Sequence, residues 1–161
     1  MVSIKTKQQG FTIVELLIVI VVIGILAALV ITTFTGIQQK ARNTERTTDI
    51  KALHGQVEAY YAQNGKYPSL ANINSVAWRT TNMKGLDCEA MKDPKGTGAG
   101  TCAAGGAPYA LVTTAGANNY SYAVFASDGT TACDNTTTDC AVYTLTATLE
   151  GGGTYAKSNL N

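Results

Sequence analysis

The sequence predicts an α+β chain: a long N-terminal α-helix, transmembrane in its first half, whose second half packs on a small antiparallel β-sheet. Three observations carry this. Residues 16–31 read LLIVIVVIGILAALVI, and after Glu15 the next charge is Lys40. Ile50, Leu53, Val57 and Tyr60 recur at spacings of three and four, which places them on one helical face. Residues 141–149 alternate, with Val142, Thr144, Thr146 and Thr148 on one face and Tyr143, Leu145, Ala147 and Leu149 on the other, as in a half-buried strand.

Residues 1–10 read as a polar leader that carries Lys5 and Lys7 and ends in Gly10. Residues 11–35 are the transmembrane half of the helix. Counted from Phe11, the apolar run is long enough to cross hydrocarbon, which takes ~20 residues. Lys5 and Lys7 predict a cytoplasmic N-terminus, with the rest of the chain on the far side of the membrane. Glu15 sits about one turn inside this segment. A carboxylate at that depth costs at least ~2.5 kcal/mol on insertion scales, so it calls for a partner.

Residues 36–64 are the amphipathic half. Arg42 with Glu45, and Arg46 with Asp49, stand at i,i+3 and are expected to pair, each adding about 0.2–0.5 kcal/mol. Asn64-Gly65, followed by Pro68, is a stop signal. A helix from about residue 11 to about residue 63 is ~80 Å long at 1.5 Å per residue. Gly24, Gly36, Thr32 and Thr33 are its weak points, each glycine costing ~1 kcal/mol against alanine. They read either as small residues for close helix packing in a membrane or as a stretch that unwinds when subunits assemble.

Residues 65–108 lose periodicity and read as a connecting loop region, with glycine clusters at 96–100 and 103–106. Residues 109–161 form the sheet, with strands expected at 109–113, 120–126 and 141–149. A turn at 150–153 leads into a short returning strand at 154–156. The stripe around Leu53, Val57 and Tyr60 is the cover for one face.

The chain has 161 residues and a formal net charge of +1. Without Lys5 and Lys7 it holds 10 basic against 11 acidic residues, a balance not built for tight nucleic-acid binding. Lys40, Arg42, Arg46 and Lys51 alternate with Glu45 and Asp49, which reads as a solvated or intersubunit helix face. The four cysteines, Cys88, Cys102, Cys133 and Cys140, include no Cys-x-x-Cys pair, and the one histidine, His54, is far from them. Zinc spacing is absent, and an even count in an exported domain reads as disulfides. Three pairings are open. Cys88–Cys102 with Cys133–Cys140 is favoured because each pair closes a loop rich in Gly, Thr or Asp, and a loop of about 15 residues closed in this way contributes ~3 kcal/mol. Four free buried thiols are the alternative. Asp128, Asp134 and Asp139 read as turn residues rather than metal ligands. The sequons at Asn119 and Asn135 are weak signals. No nucleophile, base and oxyanion set is visible, so neither enzymatic activity nor a cofactor is expected.

Gly10-Phe11-Thr12-Ile13-Val14-Glu15 resembles the processing site of the type IV pilins and the pseudopilins of type II secretion. Residues 59–68, AYYAQNGKYP, are similar to the end of that family's long helix. The resemblance implies a pilin-like fold and cleavage between Gly10 and Phe11 by a membrane-embedded prepilin peptidase. Phe11 would then be N-methylated, and Glu15 would pair with the Phe11 amine of a neighbouring subunit. Gly24, Thr32 and Gly36 fall where such helices loosen; many pilins carry proline where Thr32 stands here. The Cys133–Cys140 loop would correspond to the disulfide-bounded C-terminal region, and Cys88 and Cys102 would brace the loop after the helix. The implied partners are other copies in a helical homopolymer, the peptidase, an inner-membrane assembly platform, the lipid bilayer before assembly, and DNA or a surface ligand met through the filament. The implied location is the cytoplasmic membrane, then an extracellular pilus. The implied function is a structural subunit of a type IV pilus used for adhesion, twitching motility or DNA uptake. A pseudopilin of a secretion or competence system, and an uncleaved single-pass surface adhesin or receptor, are the alternatives.

Overall fold

A computed structural model describes residues 10–98, 100–102, 106 and 109–160. Of the expected leader only Gly10 falls among them; Lys5 and Lys7 lie outside the described residues. The chain divides into two compact units, Met1–Gln39 and Lys40–Asn161.

Helix α1 spans Ile13–Asn64, 52 residues. Its N-terminal half is long and apolar enough to cross a membrane by length and composition. Every large apolar side chain from Phe11 to Ile37 is exposed, from Phe11 at 87% to Val22 at 48%. Burying one such side chain is worth about 1.5–3 kcal/mol, so this surface is stable only in lipid or against other protein. The helix ends at Gly65, whose φ of 71° lets its N–H turn back to the carbonyl of Tyr61 at 2.8 Å.

In the second unit the stripe behaves as its spacing predicts: Ile50, Leu53, Val57 and Tyr60 are buried. They pack on a three-stranded antiparallel sheet in the order β1-β2-β3, formed by Ser121–Phe125, Val142–Thr148 and Thr154–Ser158. Register pairs Ala123 with Thr144 and Thr146 with Ala156. Tyr143, Leu145 and Ala147 point inward, and Thr144 outward, as the alternation requires. The core is rich in tyrosine, and several of its hydroxyls are satisfied from within. Tyr122 donates to the carbonyl of Pro68 at 2.8 Å and Tyr143 to Glu58 at 2.8 Å.

Two expectations fail. No strand forms at 109–113; Val112 makes only an isolated parallel bridge to Ser121. The side chain of Asn74 occupies the backbone there, donating to the carbonyl of Leu111 and accepting from its N–H, both at 2.9 Å. An amide that satisfies both backbone groups leaves Leu111 nothing to offer a ladder. The expected loop region also contains short helices: α2 (Leu70–Asn74), α3 (Val76–Asn82) and a 3-10 turn at Cys88–Met91. Each opens on a side-chain cap, Ser69, Ser75 and Asp87 in turn, that accepts a bond from a backbone N–H.

Candidate assembly site at the helix N-terminus

Gly10 and Phe11 lie before the helix, exposed and outside regular structure, so the bond between them is accessible. Thr12 is the residue before the first turn, and Glu15 is three positions on. The Thr12 N–H and hydroxyl both donate to Glu15 Oε2, at 2.9 and 2.7 Å, while the Glu15 N–H donates to Thr12 Oγ1 at 3.2 Å. This is a capping box. Glu15 therefore has hydrogen-bond partners inside its own chain, which the sequence reading did not foresee. These bonds satisfy one oxygen but bring no cation, and among the described residues no basic side chain pairs with the carboxylate, which has only the partial positive charge of the helix N-terminus.

Helix α1 runs unbroken through Gly24, Thr32 and Gly36. A Cβ built on Gly24 or Gly36 meets nothing within 4 Å. Nothing among the described residues requires glycine at either place. The Thr33 hydroxyl donates to the carbonyls of Leu29 and Val30 at 3.1 and 2.9 Å, back-bonding that weakens and bends helices.

In the second unit Arg42 and Arg46 do not pair with Glu45 and Asp49. Arg42 grips Glu150 with Nε and Nη2, at 2.6 and 2.7 Å. Arg46 and Asp93 are both fully buried and meet in a two-bond fork at 2.7 and 2.9 Å. Arg46 also reaches Glu150 at 3.0 Å, and Lys95 reaches it at 2.9 Å. The turn of Glu150 and three glycines, with φ of 89°, 103° and 86° at 151–153, delivers this carboxylate to α1. The Asn43 amide clasps the Glu150 backbone from both sides, at 2.9 and 3.0 Å. Side chains with a β-carbon strain at such φ, which is why the turn is glycine. Hydrogen bonding from Arg42 holds the Glu150 carboxyl well below the usual range. An i,i+3 pair at the surface is worth little; a fork to a buried carboxylate with additional bonds wins the arginine. With Arg42 and Arg46 committed inward, Lys40 and Lys51 are the exposed cations left of the basic helix face.

Asp49 instead accepts a 2.7 Å bond from the Tyr120 hydroxyl. Burial, with Glu45, Asp93 and Asp87 nearby, pushes its carboxyl up to about 6. In the folded state it keeps its proton above the pH at which the unfolded chain loses it. Stability from this group is therefore full below about pH 4 and falls as pH rises through about 6. Asp49→Asn should stabilise the protein at pH 7.5 by about 1 kcal/mol, since half-exposure screens much of the penalty, and should leave it unchanged at pH 4. Thermal unfolding at the two pH values checks this.

Cys88 is bonded to Cys102, and Cys133 to Cys140. Cys88, Glu89 and Cys102 are close enough to suggest a metal, but the two sulfurs are consumed in the disulfide. Asp128 and Asp134 accept from the N–H groups of Thr130 and Thr131, and of Thr136 and Thr137; the Thr131 hydroxyl, with the N–H groups of Thr131 and Thr130, holds the Asp128 carboxyl down at about 2. Asp139 pairs with Lys66 at 2.7 Å. Asp128 and Asp134 thus serve turns, and Asp139 an ion pair. Asn135, at φ 64°, donates to the Tyr67 carbonyl and accepts from the Cys140 N–H, so its amide is structural. His54 Nε2 bonds the carbonyl of Ser158 at 3.1 Å.

Comparison with known proteins agrees with the N-terminal geometry. Residues 5–31 match the prokaryotic N-terminal methylation motif. The chain is 38% identical over 65 residues to type II secretion system core protein G of Dickeya chrysanthemi, covering 40% of this chain and 42% of that one. It is 41% identical over 63 residues to the Escherichia coli (strain K12) protein of the same name, 39% of this chain and 43% of that one. It is also 33% identical over 90 residues to type IV major pilin protein PilA of Myxococcus xanthus (strain DK1622), 52% of this chain and 41% of that one. The matches thus span less than half the length of these relatives. No solved structure matches. Over this motif and the helix behind it, the chain is similar to type II secretion system core protein G and to type IV major pilin protein PilA.

Proposed function

We propose that this protein is a non-catalytic structural subunit, cut after Gly10, methylated on Phe11 and polymerised into a helical filament. The observation that carries the reading is the pairing of a charged Glu15 with a continuous exposed apolar surface from Phe11 to Ile37. In the bilayer the apolar surface is at rest and the carboxylate is not. Cleavage between Gly10 and Phe11 creates a cationic amine one turn from Glu15. Seated beside Glu15 of another copy, that amine supplies the charge that the capping box does not. Apolar packing among neighbouring helices then supplies cohesion, and the ion pair sets register. Gly24 and Gly36, where an added β-carbon meets nothing among the described residues, and Thr32 between them are the places where the helix can loosen to fit the lattice.

The prepilin peptidase and an inner-membrane assembly platform are the partners this route requires. Before assembly the protein resides in the cytoplasmic membrane; afterwards it is part of a pilus outside the cell, where it can meet DNA or a surface ligand. Similarity to secretion core protein G supports a second reading, a pseudopilin whose short filament serves secretion.

Electron microscopy of sheared surface material, with the intact mass of its subunit, tests the main reading. Filaments whose subunit has lost ten residues and gained one methyl group are expected, and a full-length, unmethylated subunit overturns it. Deletion separates the two readings: loss of surface filaments marks a pilin, and loss of an exported protein with filaments retained marks a pseudopilin. Glycine before the cut leaves room for a protease to approach the backbone. Gly10→Ala should therefore mature slowly and Gly10→Trp not at all, read as the ratio of precursor to mature mass.

A further inference from the structure

We propose that the second unit carries a binding site for a small organic anion, a carboxylate or a phosphate ester, built on Arg79. A cavity of about 400 Å³ opens between α3 and the Cys88–Cys102 disulfide. Its walls include Val76, Met83, Leu86 and the disulfide, and its cations are Arg79 and Lys84. No acidic side chain lines it among the described residues. That volume lies in the range of small-molecule sites.

The unusual group is the guanidinium. Arg79 is 5% exposed, as deeply placed as a core residue. Its Nη1 donates to the carbonyl of Ile73 at 2.6 Å. It has no carboxylate partner among the described residues, in contrast to Arg46, which meets two. Desolvation alone lowers its pKa, with no compensating anion. Among the described residues no enclosed polar side-chain atom lacks a hydrogen bond. Arg79 is itself one of the residues lining the cavity, and its bond to Ile73 uses only Nη1. A buried cation without a counter-ion is costly, and a planar fork of donors at the base of an apolar pocket matches a carboxylate or phosphate. Lys84, exposed at the cavity's side, adds a second positive charge. The apolar walls suit an anion with a short hydrocarbon body.

The competing role for Arg79 is structural, as the group that caps the carbonyl of Ile73 near the end of α2. The two roles separate on binding. The full chain in detergent is labelled at methionine methyls, and Met83 in the cavity wall is followed by NMR. Inorganic phosphate and butyrate are titrated in separate arms at constant ionic strength, with chloride as control. A saturable shift of Met83 is expected with at least one of them, with Kd on the order of 1 mM. The arm that saturates fixes whether phosphate or carboxylate is the favoured chemistry. Arg79→Met should abolish the shift while keeping the melting temperature at or above wild type, because it removes an uncompensated charge. Lys84→Glu, an exposed change that leaves the fold alone, should weaken binding at least about tenfold. Absence of saturation in both arms, or wild-type affinity in Lys84→Glu, overturns the proposal. So does a shift that survives in Arg79→Met.

Discussion

Cells carrying Glu15→Ala should process the leader normally and yield almost no filament. Removing the carboxylate leaves the Phe11 ammonium of each incoming copy buried without a counter-charge. Breaking one side of a buried pair costs about 3–5 kcal/mol, which is at least about a hundredfold in each subunit's association. The mature mass should be unaffected, since the proposed cut lies before Phe11 and Glu15 is inside the helix. The capping box makes a sharper variant available. Glu15→Gln retains a side chain that can accept from the Thr12 N–H, because glutamine serves at that position of a capping box as glutamate does. If charge matters, Gln fails as Ala does. If only the cap matters, Gln assembles. Filament yield by sedimentation, normalised to mature subunit in the membrane, reads both. Wild-type yield from either variant sinks the pairing role.

The second large effect is in the other unit. Asp93→Ala should destabilise it by about 3–5 kcal/mol, because Arg46 is left fully buried with its fork empty. Glu150→Ala should do less, since Glu150 is partly exposed and its loss leaves the Arg46–Asp93 fork in place. The double change Arg46→Met with Asp93→Leu should recover most of the loss, as apolar replacements of buried pairs commonly do. Thermal or denaturant unfolding of the four proteins measures this. A near-neutral Asp93→Ala would mean that Arg46 finds another anion or reaches water.

The fold was legible where it is periodic. The 3.6-residue stripe of Ile50, Leu53, Val57 and Tyr60 and the two-residue alternation of 142–148 each report one buried face, and burial is local information. Asn64-Gly65 marked the helix end because the turn needs a left-handed residue there. What stayed hidden is pairing across long separations. Nothing near Arg42 in sequence points to Glu150, 108 positions on, and the nearer Glu45 is the natural but mistaken choice. The absent strand at 109–113 has the same origin, since its backbone is taken by a side chain 37 positions earlier. Other features do carry a local signal. Thr12-x-x-Glu15 is a capping-box signature ahead of an apolar run, and Ser69 and Ser75 are plain helix caps in a stretch taken for loop. Arg79 gave no signal, because a lone arginine in a short polar helix normally lies in solvent.

The assembly account can be tested most directly in the filament itself, by a density map of native fibres that resolves side chains. The account predicts that the Phe11 nitrogen of one copy lies within about 4 Å of the Glu15 carboxylate of another, the distance of an ion pair. A map in which Glu15 bonds only Thr12 of its own chain, with every Phe11 amine in solvent, would contradict it.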